Sequence, residues 1–289
     1  MVSGPDTIDA TDEFVDRPVP QAPRHLRAQS VLEVLLCSGF PTQLLIAGVL
    51  GLLMRPHIPS DGTLPFDFIV AVSLLDTVAL IGLIVLFLRL RGERPGEVLL
   101  GQGPLWGEVV RGVLWLPMVF ALVIVLGTLV QHVAPWLHNV PKNPLQAMLT
   151  SPWRVALFAL VAVCAGGLRE EVQRAFILHR FDQDLGGARV GLILFSVAFG
   201  LGHLTQGFDA ALITGMLGLL WGFIYLSRRS MVGPAVSHAL FNLLEIALYQ
   251  YASKNGLLPT QGRLNASRTS TRPPPRRARA GRWAPARSG

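Results

Sequence analysis

"VALFALVAVCAGGLREEVQRAF", residues 155–176, carries an apolar run straight into two adjacent glutamates flanked by Arg169 and Arg174. A charged side chain at bilayer depth costs at least about 2.5–3.5 kcal/mol, so such residues persist where they face a protected cavity and find partners. Read as one long membrane helix with acids inside it, this stretch makes the chain an all-α, polytopic transmembrane bundle. Phe176, Ile177 and Leu178 follow at once and argue for continued burial. A solvated helix end at the membrane surface is the plainer alternative for Glu170 and Glu171.

Composition agrees with a membrane protein. Of 289 residues 51% are hydrophobic and 15% charged, against about 25% charged in soluble domains. The net charge of +7 gathers in the C-terminal tail and in short loops beside apolar runs. Membrane topology explains it there, and no nucleic-acid partner is expected. Cys37 and Cys164 both lie in apolar runs, so neither a disulfide framework nor a cysteine metal site is expected.

A hydrocarbon core of about 30 Å needs roughly 20 helical residues. Apolar runs of suitable length stand near 31–54, 67–90, 109–133, 153–181, 188–206, 209–226 and 232–251. Seven membrane helices are expected, or eight if 170–183 is separate. Residues 1–29 read as a disordered polar leader, 30–252 as the transmembrane domain, and 253–289 as a disordered Pro/Arg-rich tail. Arginines at 24 and 27, at 89, 91, 94 and 111, at 180 and 189, and at 228 and 229 fall on one side when successive spans cross. By the positive-inside rule that side, with the N-terminus, is cytoplasmic, in a multi-pass protein of the cell membrane.

Three C-terminal segments place polar groups at i, i+4, on one helix face: Glu170 with Arg174, Phe199 with His203 in "FGLGH", and His238 with Asn242 in "HALFN". Counted from Arg180, Arg189 and Arg229, the residues Glu170, His203 and His238 lie about 15, 21 and 14 Å into the membrane. A bundle can bring one acid, two imidazoles and an amide around one cavity. A desolvated carboxylate there takes a proton from water, and the imidazoles hold the water or stabilise the oxyanion. Arg174, one turn from Glu170, is expected to keep that acid ionised, with Phe199 packed beneath His203. Asp76 in the second span is expected to hydrogen-bond a neighbouring helix, and "GMLGLLWGF" (215–223) to pack helices through small residues.

The order EE..R, FxxxH, HxxxN on successive helices resembles the CPBP family of intramembrane endopeptidases, which includes the Rce-type CaaX prenyl protease and bacteriocin self-immunity (Abi) proteins. The resemblance covers about residues 150–250, with "RLRGERPGEVLLGQGPLW" (89–106) similar in character. It implies hydrolysis of a membrane-associated peptide or protein substrate, lipidated or not, with the bilayer as the other partner. By that resemblance Glu170 activates water beside Glu171, and His203 and His238 position the water or stabilise the intermediate. Asn242 donates to the oxyanion, while Arg174 and Phe199 support the site.

The family's first motif is usually EExxxR, and this chain has EExxR. Glu170 is an acid whether the motif is aligned on the acids or on the arginine, and it is therefore preferred as the base. No cofactor is required by this mechanism. A divalent metal such as zinc stays open, since Glu170, His203 and His238 match the ligand count of a catalytic zinc site. A catalytically silent CPBP-like protein, binding a partner or giving immunity to a peptide toxin, is the alternative reading.

Overall fold

The computed structural model describes residues 23–58, 64–141 and 143–257. Most of the expected leader and tail lies outside those residues, and helix α1 already begins at Arg24. All regular structure among the described residues is helical. The chain divides into two units: residues up to Ile246 hold the bundle, and residues from Ala247 include the end of the last helix.

Helices α1 (Arg24–Leu36) and α2 (Phe40–Met54) form a pair bent by 43°. The bend falls at Gly39, whose φ of +88° suits glycine, and Pro41 follows in the first turn of α2. Helix α3 (Phe66–Leu90) leads through the short α4 (Pro95–Leu99) to α5 (Leu105–Val133). Trp106 and Trp136, 75% and 73% exposed, stand at the two ends of α5, as interfacial aromatics do. After the short α6 (Pro144–Ala147) come α7 (Pro152–Val161), a π-helical segment (Ala162–Arg169), and α8 (Glu170–Asp184). Helices α9 (Ala188–Leu201), α10 (Phe208–Arg228) and α11 (Val232–Lys254) complete the order.

Four helices, α3, α5, α10 and α11, are long and apolar enough to cross a membrane, or five when the bent pair counts as one span. The expected count of seven to eight is therefore not reached by length and composition among the described residues. Two physical reasons account for the difference. The α7–α8 run is continuous, with helical dihedrals at both joints, but its second half is polar. The span expected at 188–206 stops at Leu201, leaving α9 with only 14 residues.

Helices α9 and α10 pack against each other more extensively than any other pair. Small residues permit it: a Cβ added at Gly200 would meet the Ala211 carbonyl oxygen at 2.6 Å, and one at Gly218 would meet Phe199 Cδ1 at 3.1 Å. The small-residue run expected to pack helices does so. Because backbone rather than a flexible side chain opposes it, Gly200→Ala is expected to destabilise the protein by about 1–3 kcal/mol. Thermal unfolding in detergent micelles reads this, and an unchanged midpoint would show that the helices separate freely.

At one end of the bundle an ionic cluster ties α1 to α8. Arg180, fully buried, reaches Glu33 Oε2 at 2.6 Å and Glu93 Oε2 at 2.7 Å. Arg91 reaches Glu33 Oε1 at 3.0 Å and Asp184 Oδ2 at 2.7 Å, and Ser30 donates to the same aspartate. Nearby, Arg228 and Arg111 share Glu108, each at 2.8 Å, and Met231 N–H donates to the Leu99 carbonyl at 2.8 Å. Arginines from several of the expected same-side clusters thus meet at one end. Burial raises the Glu93 pKa, but hydrogen bonds from His179, Arg180 and Gln183 outweigh it and hold the group at about 2. Asp184 is likewise lowered, burial being outweighed by Ser30 and Arg91.

A depressed carboxylate pKa gives stability that is complete above the unfolded value, 4.5 for Glu93, and lost as pH falls towards about 2. Docking of the α3–α4 turn on α8, which Glu93 makes through His179, Arg180 and Gln183, is expected to hold from neutral pH down to about 4.5 and weaken below it. Hydrogen exchange of α4 amides, corrected for intrinsic rate, should rise over that window alone. A rise beginning between pH 7 and 5 would contradict the assignment.

Candidate active site

The site is built where the π segment passes into α8. A π turn is wider than an α turn and often marks a functional site. Gly166 and Gly167 lie in it, and α11 comes close enough that a Cβ on Gly167 would meet Ala239 Cβ at 2.6 Å. Asn242 Nδ2 donates across the same contact to the Ala162 carbonyl, at 3.4 Å. This close approach sets His238 and Asn242 of α11 against the glutamates.

The two glutamates have different surroundings. Glu171, 1% exposed, accepts from His238 Nδ1 at 2.9 Å and forms an ion pair with Arg174. Glu170 is less enclosed: its Oε2 lies 3.8 Å from His238 Nε2, and its Oε1 lies 3.5 Å from Arg169 Nη2. Bonded to an acceptor through Nδ1, the His238 ring carries its proton there and turns Nε2 towards Glu170. Trp221 of α10 stacks on that ring, with centroids 3.9 Å apart and planes at 17°, and donates its Nε1–H to Ser237 Oγ at 3.3 Å.

Arg174 differs from expectation. It pairs with Glu171, at i, i+3, and not with Glu170 at i, i+4. Both spacings share a helix face, so the shortened EExxR motif still joins an acid to its arginine. The guanidinium is fully buried, with Cζ 4.9, 5.2 and 5.7 Å from the rings of Phe199, Phe195 and Trp221. That aromatic cage directs it to Glu171. The guanidinium near Glu170 belongs to Arg169, whose Nη1 also meets the fully buried Asp76. Asp76 thus contacts a neighbouring helical segment, as expected of it, through an ion pair.

His203 also departs from expectation. It is not within a membrane helix but in the turn beyond α9, where its Nδ1 bonds the Phe199 carbonyl at 2.8 Å. Gly202 follows the end of the helix, and Gly207, with a φ of +124°, restarts the chain into α10. Phe199 joins the two histidines: its ring lies 5.0 Å from His203 and 6.2 Å from His238, edge-on to both. Sequence reasoning missed Trp221, Ser237 and the Arg169–Asp76 pair. Trp221 was hidden in a run read as packing, and Asp76 stands 93 residues from its partner.

Among the described residues no three His, Cys, Asp or Glu side chains gather to hold a metal ion. Both glutamates have a guanidinium beside them, and the bonds made by Nδ1 of His203 and of His238 leave Nε2 of each ring as the nitrogen that can meet a reactant.

The fold and this site together describe a multi-pass, all-helical membrane protein with a polar centre among apolar helices. A family model described as type II CAAX prenyl endopeptidase Rce1-like matches residues 151–244, from the start of α7 into α11, in agreement with the CPBP resemblance. That family is a protease family. No curated protein and no solved structure matches the chain.

Proposed function

We propose that the protein is an intramembrane endopeptidase in which Glu170 activates water against a peptide bond of a membrane-associated, prenylated CaaX-type substrate. The observation that carries this reading is the division of labour between the glutamates. Glu171 is spent on Arg174 and His238, whereas Glu170 keeps Oε2 towards His238 Nε2 at 3.8 Å. A water can bond both at about 2.8 Å from each.

In the reaction Glu170 takes one proton from that water while its oxygen attacks the scissile carbonyl carbon. His238 Nε2 accepts the water's other hydrogen bond and fixes its orientation. His203, held through Nδ1, offers Nε2 to the water or the intermediate. Asn242 uses its second amide hydrogen for the oxyanion. The tetrahedral intermediate then expels the amide nitrogen, which takes the proton back from Glu170, and the carboxylic acid formed passes its proton to the released amine, leaving a carboxylate and an ammonium group. No step requires a metal. The arginine-rich end of the bundle supports a cytoplasmic N-terminus.

The test is a purified preparation in lipid nanodiscs, incubated with a farnesylated CaaX peptide and followed by mass spectrometry. Release of the C-terminal tripeptide is expected, and activity is expected to survive a strong chelator. Loss of cleavage to the chelator, restored by zinc, would overturn the metal-free mechanism. No cleavage by folded protein would leave the partner-binding or self-immunity reading.

A further inference from the structure

Asp76 and Arg169 have no part in the mechanism above, yet they stand beside its base. Asp76 lies on α3, outside the matched residues 151–244, and is fully buried. Its Oδ2 pairs with Arg169 Nη1, while its Oδ1 is buried with no hydrogen-bond partner. A half-satisfied carboxylate in an apolar helix is a poor stabiliser, and an apolar residue of similar volume would serve packing better. What the pair achieves is local. Arg169 has a second carboxylate within reach, Glu170, at 3.5 Å through Nη2.

We propose that Asp76 and Arg169 are positioning residues for the base. Asp76 draws the guanidinium towards α3, so that Arg169 meets Glu170 at one oxygen, Oε1, and leaves Oε2 facing His238 and the water. Without Asp76, the planar fork of Arg169 is free to close on both oxygens of Glu170, the geometry that arginine and carboxylate prefer. Glu170 would then turn from the water into a two-point ion pair. The surroundings hold the guanidinium in place: a Cβ added at Gly39, in the α1–α2 bend, would lie 3.7 Å from Arg169 Nη1. Gln173, beside it, donates to the Cys37 carbonyl of the same bend at 2.8 Å. The wide π turn that ends at Arg169 is what lets one residue face α3 while the next faces α11.

This inference rests on the peptidase reading. Its test combines kinetics on the farnesylated CaaX peptide with a stability cycle that needs no activity. Asp76→Asn is expected to lower kcat about 10–100-fold with KM held within about twofold, since misplacing a reacting group by about 1 Å costs about that much. Arg169→Gln should remove the competing fork, and the double variant Asp76→Asn/Arg169→Gln should be no slower than Asp76→Asn alone. Asp76→Glu, which keeps the charge, should recover part of the rate even if Asp76→Asn lowers the yield of folded protein.

In thermal melts, the effects of Asp76→Asn and Glu170→Gln should be non-additive with Arg169 present and additive in the Arg169→Gln background. Wild-type kcat in Asp76→Asn, multiplied losses in the double variant, or additive melts throughout would overturn the proposal. If the wild type cleaves nothing, the peptidase reading falls, and the melts alone decide whether Asp76 acts on Glu170 through Arg169.

Discussion

Glu170→Gln is expected to lower kcat on the farnesylated CaaX peptide by about 10²–10⁴-fold, the usual contribution of a positioned general base. Glutamine matches the size of glutamate and can still meet Arg169 Nη2 through its carbonyl oxygen, so folding should be preserved. KM should change little, because the water and not the substrate loses its partner. The comparison with Glu171 makes the result specific: Glu171 is already committed, bonded to His238 Nδ1 at 2.9 Å and paired with Arg174. If Glu170→Gln retained wild-type kcat while melting normally, the base would have to be sought elsewhere.

Glu171→Ala is expected to cost about 3–5 kcal/mol of stability, the range for removing one partner from a buried ion pair. Arg174 is fully buried, and among the described residues Glu171 is the acid paired with its guanidinium. Phe195, Phe199 and Trp221 attract the cation through their faces but carry no charge to balance it. The same change removes the acceptor that fixes the His238 ring, so activity should fall together with stability. Unfolding in mixed micelles measures the first effect. The double variant Glu171→Leu/Arg174→Leu should recover much of the stability, because apolar residues can replace a buried pair at little cost. It should not recover activity, since His238 remains unoriented. Wild-type stability in Glu171→Ala would show that Arg174 does not depend on its acid.

These two outcomes separate residues that adjacent letters make look alike. The pair "EE" is legible as a feature because acids inside an apolar run demand partners, and "HALFN" because two polar groups share one face of α11. The helical class was equally legible, from apolar run lengths. The extent of α9 was not. The span read at 188–206 runs on past Leu201 into "GHLTQ", but the glycines at 200, 202 and 207 allow the chain to turn, and His203 falls in that turn instead of a helix. Nor was the partner of Arg174 legible, because positions three and four apart share a face and the sequence pattern alone does not choose between them.

What the sequence determined by itself is the membrane class, the helical architecture, and the set of polar residues that an apolar setting makes conspicuous. Only the tertiary structure decided how they pair. The aromatic cage around Arg174 comes from α9 and α10, and it commits Glu171 to a supporting ion pair. The π turn before Glu170 and the close approach at Gly167 aim the other acid towards His238. Asp76 reaches Arg169 from 93 residues away. Local periodicity specifies which residues share a face, whereas the partner a buried charge meets depends on which other helices pack against that face.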